Sequence, residues 1–285
     1  MVPQTLSFCL EERTEIFMKP RKWLDNNQPQ NQTADLVHPR KTAFFGYQKL
    51  PEDKKAQRVL QHFNTVAQKY DLMNTLLSFG IHHLWKRTAV KTMTLKPGDR
   101  VLDVCGGTGD LAILAAQTVG ESGRVIIYDI NRAMMDAGLH KVNHSTWRKR
   151  IRFIQGDAEQ LPFPDGRFDA AMVGFGIRNV TRMDQGFKEM CRVLKPGGKV
   201  MCLEFSKPTA PVFRWLYDIY SFHVMPLLGE LIVGSRKAYM HLPESIRTFA
   251  LPDELTAILN LVGFSRVTEH KLTNGIAMIH LAVKS

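Results

Sequence analysis

The chain has 285 residues, 44% of them hydrophobic and 23% charged, which excludes a disordered or fibrous protein and allows a substantial core without disulfide staples. Its formal charge of +11 fits a nucleic-acid binder, a protein seated on an anionic membrane, or a plain basic surface. The densest basic run is only Arg148-Lys149-Arg150 and none is interleaved with aromatics, so nucleic acid is not an expected partner.

Residues 1–40 read as a tail, because Asn26-Asn27-Gln28-Pro29-Gln30-Asn31-Gln32 cannot support a core. The mildly apolar start is followed at once by Glu11, Glu12 and Glu15, which fits neither a secretory signal nor an acid-poor mitochondrial presequence. With no apolar run near the roughly 18 residues of a spanning helix, the expectation is a cytoplasmic protein. Any membrane contact would be peripheral, at the inner face, and a mitochondrial matrix location is the weaker reading. Cys9, Cys105, Cys191 and Cys202 show no C-x-x-C spacing, so no metal or redox site is expected and a reducing compartment fits.

Residues 41–285 read as one domain. From Pro51 to about Thr94 the pattern is helical, with Val59, Leu60, Phe63, Val66 and Ala67 at three- and four-residue spacings. Lying before the first strong strand, these helices are placed to cover one end of a sheet. An alternation of strands and helices follows: a strand over Arg100–Val104, a tight turn at Gly106–Gly109, a helix from Asp110 and a strand from Arg124 ending at Asp129. Asn131 is a natural cap for the next helix. Further strands fall at Ile151–Gln155, Phe168–Val173 and Lys199–Phe205, and a helix from Met183 stops at Lys195-Pro-Gly-Gly198. The pattern implies a Rossmann-like α/β fold, a mostly parallel sheet with helices on both faces. An aromatic-rich insertion spans about 208–252. A helix and two strands near 266–271 and 276–283 then predict an antiparallel hairpin at the sheet edge.

Asp103-Val-Cys-Gly-Gly-Thr-Gly109 lies between a strand and a helix, and Asp129 closes the next strand, where an acid accepts from ribose hydroxyls. A dinucleotide fingerprint would need a third glycine where Ala112 stands. Asp103 sits where a carboxylate would meet a cationic amino group, alongside Gly106 and Gly107, so the set fits S-adenosylmethionine better than a dinucleotide. Asp157 follows the next strand and is placed for the exocyclic amine of adenine. All three carboxylates would face the crevice at the carboxyl edge of the sheet.

Tyr70-Asp-Leu-Met-Asn-Thr-Leu-Leu-Ser-Phe-Gly-Ile-His-His-Leu-Trp85 resembles the N-terminal signature of the ubiquinone/menaquinone biosynthesis C-methyltransferase family. Arg192-Val-Leu-Lys-Pro-Gly-Gly-Lys-Val-Met-Cys-Leu-Glu-Phe-Ser206 resembles its C-terminal signature, and Gly174-Phe-Gly-Ile-Arg-Asn-Val180 resembles its segment after the fourth strand. The resemblance runs from about Phe45 to the end. It implies S-adenosylmethionine-dependent methylation of a ring carbon of a polyprenylated quinol, with cofactor contacts at Thr108, Asp129, Asp157 and Ala158. Some members have a serine where Gly174 stands, so that contact is absent here or made by backbone. Contact with quinone-biosynthesis enzymes is a further implied possibility.

Arg178 and Asn179 are the candidates to face the phenol oxygen, Arg178 as a phenolate stabiliser or water positioner because it stays protonated, unless a structural carboxylate claims it. Tyr70 and Asp71, with Asn74, are placed to close over the quinol, or else to cap and pack their helix. Trp85 reads as core, and His82 or His83 as a lesser candidate proton acceptor. Methylation of another small molecule or of nucleic acid is the alternative; an amino-methylating enzyme would show an Asn/Asp-Pro-Pro-aromatic turn, which Gly174-Phe-Gly-Ile177 lacks. A non-catalytic partner that keeps the fold is opposed by the intact acids.

Overall fold

The computed structural model describes residues 42–285; the tail assigned to residues 1–40 lies outside them. The described chain opens with an antiparallel hairpin, β1 (Thr42–Phe45) and β2 (Gln48–Pro51), where the sequence showed no strand. Then come α1 (Glu52–Val66), a 3-10 turn, α2 (Tyr70–Leu77) and α3 (Ile81–Thr92). The apolar spacing in α1 buries Val59 and Val66 on one face.

The sheet follows: β3 (Arg100–Val104), α4 (Asp110–Val119), β4 (Arg124–Asp129), α5 (Arg132–Asn143), β5 (Ile151–Gln155), β6 (Phe168–Gly174), α6 (Met183–Val193) and β7 (Leu194–Phe205). Its five parallel strands lie in the order β5-β4-β3-β6-β7. Both faces are apolar: one core cluster holds Leu102, Val104, Phe187, Met190 and Val200, the other Val101, Ala112, Ala116, Met172 and Met201. Burial on both faces is what a parallel sheet needs. Asn131 caps α5 as its sequence position predicts, accepting from the Met134 amide at 2.9 Å. Its Nδ2 donates to the Leu60 carbonyl and to Asn64 Oδ1, tying α1 to the sheet.

One expectation is corrected. Lys195-Pro-Gly-Gly198 does not separate helix from strand but lies inside β7 as a bulge: Phe168 pairs with Leu194, then Ala170 with Lys199. The closing strands β8 (Phe264–Leu272) and β9 (Ala277–Lys284) form the expected antiparallel hairpin at the sheet edge, with β9 against β7 and β8 outermost.

The insertion is helical: α7 (Pro211–Ile219), a π turn over Tyr220–Val224, α8 (Met225–Val233) and α9 (Arg236–Arg247), before α10 (Pro252–Leu261). By length and composition alone Pro211–Val233 could cross a membrane, against the expectation from the sequence. The π turn joins α7 and α8 into one continuous helix. Met73 and Leu77 of α2 pack against Met225 of α8 and Tyr239 of α9, so the insertion and the pre-sheet helices cover the same end of the sheet.

Candidate active site

At the carboxyl edge of β3, β4 and β5 lies a cleft of about 1050 Å³ of empty space. Asp103, Gly106, Gly107, Thr108, Asp129, Asp157 and Ala158 all line it. The loop after β3 must pass close to its own strand: a Cβ on Gly106 would sit 2.9 Å from the Asp103 carboxyl carbon and 2.9 Å from the Ile127 side chain. Gly138 plays the same part on α5, where a Cβ would lie 2.6 Å from the Thr108 backbone. Helix and loop therefore touch directly.

Asp129 accepts from the Gly107 amide at 2.9 Å and the Asn131 amide at 2.7 Å. Burial nevertheless pushes its carboxyl up to about 6, against these two bonds. Asp103 is buried, and among the described residues neither oxygen has a hydrogen-bond partner. Burial first, then the neighbouring Asp129 charge, hold its pKa well above the carboxylate range; the Ala112 amide opposes this without meeting hydrogen-bond geometry. An orphaned buried carboxylate lining a cleft needs a cation or donors from a ligand. S-adenosylmethionine, with a cationic amino group and ribose hydroxyls, has groups of the kind these carboxylates need. Asp157 is exposed beside it and accepts from the Glu159 amide. Gly174 also lines the cleft, and a Cβ there would come within 2.5 Å of Leu111 Cδ1, so a serine contact is sterically closed unless Leu111 moves.

A second cavity, about 1470 Å³ and mostly apolar, opens beside the first. Trp85, Phe205, Leu216, Tyr239 and Ile276 are among its walls. Both are lined by Phe63, Tyr70, Lys86, Phe175 and Asn179, so those residues form the junction. Asn179 Nδ2 is buried there with no partner among the described residues. Trp85 is core-like in burial yet is also a cavity wall, fixed by Nε1 donating to Thr273 Oγ1 at 2.8 Å. His82 lines the cavity, hydrogen-bonded to Ser78 Oγ, and burial lowers its pKa to about 4; His83 is exposed.

Arg178 lines this cavity but is not free. Its Nη1 donates to both Glu204 carboxylate oxygens at 2.9 Å and to the Phe175 carbonyl at 2.6 Å, with both side chains buried. Among the described residues its Nη2 makes no hydrogen bond. Burial raises the Glu204 pKa and Arg178 pulls it back.

Asp71 is not placed on the quinol side. It accepts from Thr108 Oγ1 and Lys141 Nζ, each at 2.7 Å, which locks α2 onto the glycine loop. Thr108 accordingly spends its hydroxyl on Asp71. Lys141 also pairs with Asp110, which pairs with Lys86 at 2.6 Å. Burial would raise the Asp110 pKa, but Lys86 and Lys141 drive it far below the carboxylate range.

Four groups escaped the sequence reading: Lys86, Asp110, Glu204 and His241. His241 is buried, lines the apolar cavity and has neither ring nitrogen bonded. Burial, then His62, Arg178 and Lys55, lower its pKa to about 2. Glu204 stood inside the C-terminal signature and Asp110 at a helix start, but neither carried a role there.

The profile of the ubiE/COQ5 methyltransferase family matches residues 51–284. This chain belongs to that family. Among its curated relatives, the ubiquinone/menaquinone biosynthesis C-methyltransferase UbiE of Pseudomonas entomophila is 46% identical over 247 residues, 87% of this chain and 96% of the relative. The UbiE of Pseudomonas paraeruginosa is 46% identical over 243 residues, 85% and 95%. Solved structures share the fold at low identity. The [4+2]-cyclase SpnF superposes with a TM-score of 0.60 at 18% identity over 80% of this chain and 96% of that one. A SAM-dependent methyltransferase, possible histamine N-methyltransferase, of Thermotoga maritima does so at 0.55 and 20%, over 80% and 100%. A cyclase and a SAM-dependent methyltransferase on one fold show that the fold alone does not choose the reaction.

Proposed function

We propose that this methyltransferase transfers the methyl group of S-adenosylmethionine to a ring carbon of a polyprenylated quinol in ubiquinone or menaquinone biosynthesis. One observation carries the reading: an acid-lined cleft and a larger apolar cavity meet at Tyr70, Lys86, Phe175 and Asn179. A quinol with a prenyl tail needs such an apolar cavity with polar groups at one end. The helices of residues 51–94 then act as a lid, held shut by Asp71.

Bound S-adenosylmethionine supplies a methyl group made electrophilic by its sulfonium charge. The protein's part is to hold the cofactor and to enrich the ring. Asp129 takes the ribose hydroxyls, Asp103 the amino group, and Asp157 and Ala158 border the adenine. A phenol has a pKa near 10, so ionising it at pH 7 costs about 3 units or about 4 kcal/mol. Arg178 Nη2 and Asn179 Nδ2 donate to the phenol oxygen as negative charge grows on it. His241, held neutral by burial, accepts a hydrogen bond from the hydroxyl, while the phenol proton and, after methyl transfer, the displaced ring proton leave to solvent water. Glu204 offsets the Arg178 charge, so Arg178 acts as a directed donor more than as a bare cation.

The test is turnover of purified protein with S-adenosylmethionine and short-chain analogues of demethylmenaquinol and of 2-methoxy-6-polyprenyl-1,4-benzoquinol. The expected product carries the new methyl on a ring carbon, located by NMR. Methylation at oxygen, or of neither analogue, overturns the reading.

A further inference from the structure

We propose that the continuous helix Pro211–Val233 lies in the surface of an anionic lipid bilayer, with Phe79 beside it, and opens the apolar cavity directly to the membrane. The proposal rests on the reading of a prenylated acceptor, which it supplies with an entrance.

The outer face of the helix is mostly apolar, with His223 and Glu230 its exposed polar residues. Val212, Trp215, Leu216 and Ile219 recur at helical spacing in α7 and are exposed, Val212 at 72% and Trp215 at 62%. In α8 Leu227 and Leu231 continue the stripe, Leu231 at 73%. The π turn joins the halves: in such a turn residues five apart stand over one another, which carries the stripe from Ile219 to the exposed Val224. Phe79 is 80% exposed, held by a left-handed backbone (φ 51°), and its ring lies 5.9 Å from that of Tyr220. A run of this size on a soluble surface marks an interaction site.

Three observations select a bilayer as the occupant. The patch is continuous with the cavity, since Phe79 and Leu216 belong to both. The segments that carry it have an excess of positive charge: Lys69, Arg87, Lys91, Arg214, Arg236 and Lys237 stand in 69–91 and 211–237 against Asp71, Asp218 and Glu230, with Lys86 buried against Asp110. Each of those acids has a basic partner in Lys141, Arg247 or Arg236. Cations near an anionic bilayer each contribute about 1 kcal/mol. Trp215 supplies the ring that favours the lipid–water boundary. The inner face of the same helix, with Tyr217, Tyr220 and Met225, is committed to the cavity. Asp218 is paired with Arg247 of α9. A spanning helix would have to break these contacts, so this one lies along the interface with one face immersed.

The experiment is flotation of the full chain with phosphatidylglycerol and with phosphatidylcholine vesicles containing no quinol. The comparison is the Trp215→Ser, Leu231→Ser double variant, whose residues line neither cavity. The wild type should float with phosphatidylglycerol and much less with phosphatidylcholine. The double variant should bind at least about tenfold more weakly while methylating a water-soluble short-chain acceptor at the wild-type rate. Wild-type protein that floats with neither vesicle, or a double variant that floats as well as wild type, overturns the proposal. So does a wild-type dimer that the double variant dissociates with vesicle binding unchanged, which would assign the face to a second copy of the chain. Because flotation needs no quinol, its outcome is independent of whether the acceptor has been named correctly.

Discussion

One guanidinium nitrogen of Arg178 bridges both carboxylate oxygens of Glu204 at 2.9 Å, and both side chains are buried beside the apolar cavity. Removing the arginine alone strands a buried carboxylate, a loss of about 3–5 kcal/mol. Arg178→Ala should therefore unfold at a much lower temperature, and its lost turnover would mix folding with chemistry. Glu204→Gln separates them. It keeps the donors of Arg178 and removes the charge that offsets it, so the bare cation should favour the phenolate more. The pH–rate profile should then shift to lower pH, with cofactor binding unchanged. A profile identical to wild type would show that the pair is structural and that Arg178 does not sense the phenol.

Asp103 and Asp129 make cofactor binding a proton-linked event. Both carboxyls are raised in the free protein, Asp129 to about 6, mainly by burial. A cationic amino group arriving at Asp103 favours its ionised form and lowers its pKa. A group with a higher pKa free than bound loses protons on binding, so at pH 6 S-adenosylmethionine should displace protons into the buffer. Calorimetry in two buffers of different ionisation enthalpy reads this directly. Asp103→Asn should reduce the released fraction, and the same observed enthalpy in both buffers for wild type would remove Asp103 from the amino-group site.

The lid clamp predicts a split between stability and binding. Lys86 and Lys141 depress the Asp110 carboxyl, although burial opposes them. Its folded pKa lies below the unfolded value near 3.9, so its stabilisation is present above about pH 4 and is lost as pH falls toward the folded value. Asp110→Asn should lower stability at pH 7 and flatten that acid loss, as followed by urea unfolding at several pH values. Asp71 is half-exposed, so Asp71→Asn should cost under about 1 kcal/mol yet loosen α2 from the glycine loop and raise KM for both substrates. Unchanged KM would make the contact incidental.

Some of this was legible in the sequence and some was not, for physical reasons. The strand–loop–helix at Asp103–Gly109 announces itself because a tight βα turn demands glycine at fixed steps. The acids at the ends of β4 and β5 follow from the same period. What was hidden is long-range. Nothing in Cys202-Leu-Glu-Phe205 distinguishes Glu204 from a surface acid until Arg178 arrives from 26 positions away. Asp71 looked aimed at substrate because its partners Thr108 and Lys141 lie 37 and 70 positions on. The helices of the insertion were masked by Pro226, Pro243 and a dense aromatic content, which the cavity they enclose accounts for.

Asn179 gives the sharpest separation of function from stability. Its side-chain nitrogen is buried at the junction of the two cavities without a partner among the described residues. An unsatisfied buried donor costs about 1–3 kcal/mol, and replacing it with an apolar group of similar shape recovers part of that cost. Asn179→Leu should therefore melt at or above the wild-type temperature while losing a donor that the phenol oxygen needs as charge develops. A hydrogen bond to a charged group contributes about 1.5–3 kcal/mol, so turnover should fall about 10- to 100-fold. Affinity for S-adenosylmethionine should stay within about twofold, because the contacts assigned to it lie on Asp103, Asp129 and Asp157. The measurements are a thermal melt, steady-state rates on a short-chain quinol, and cofactor binding by calorimetry on the same preparation. A variant that melts several degrees lower would reveal a structural partner for the amide. Wild-type turnover in a stable variant would take Asn179 off the reacting oxygen.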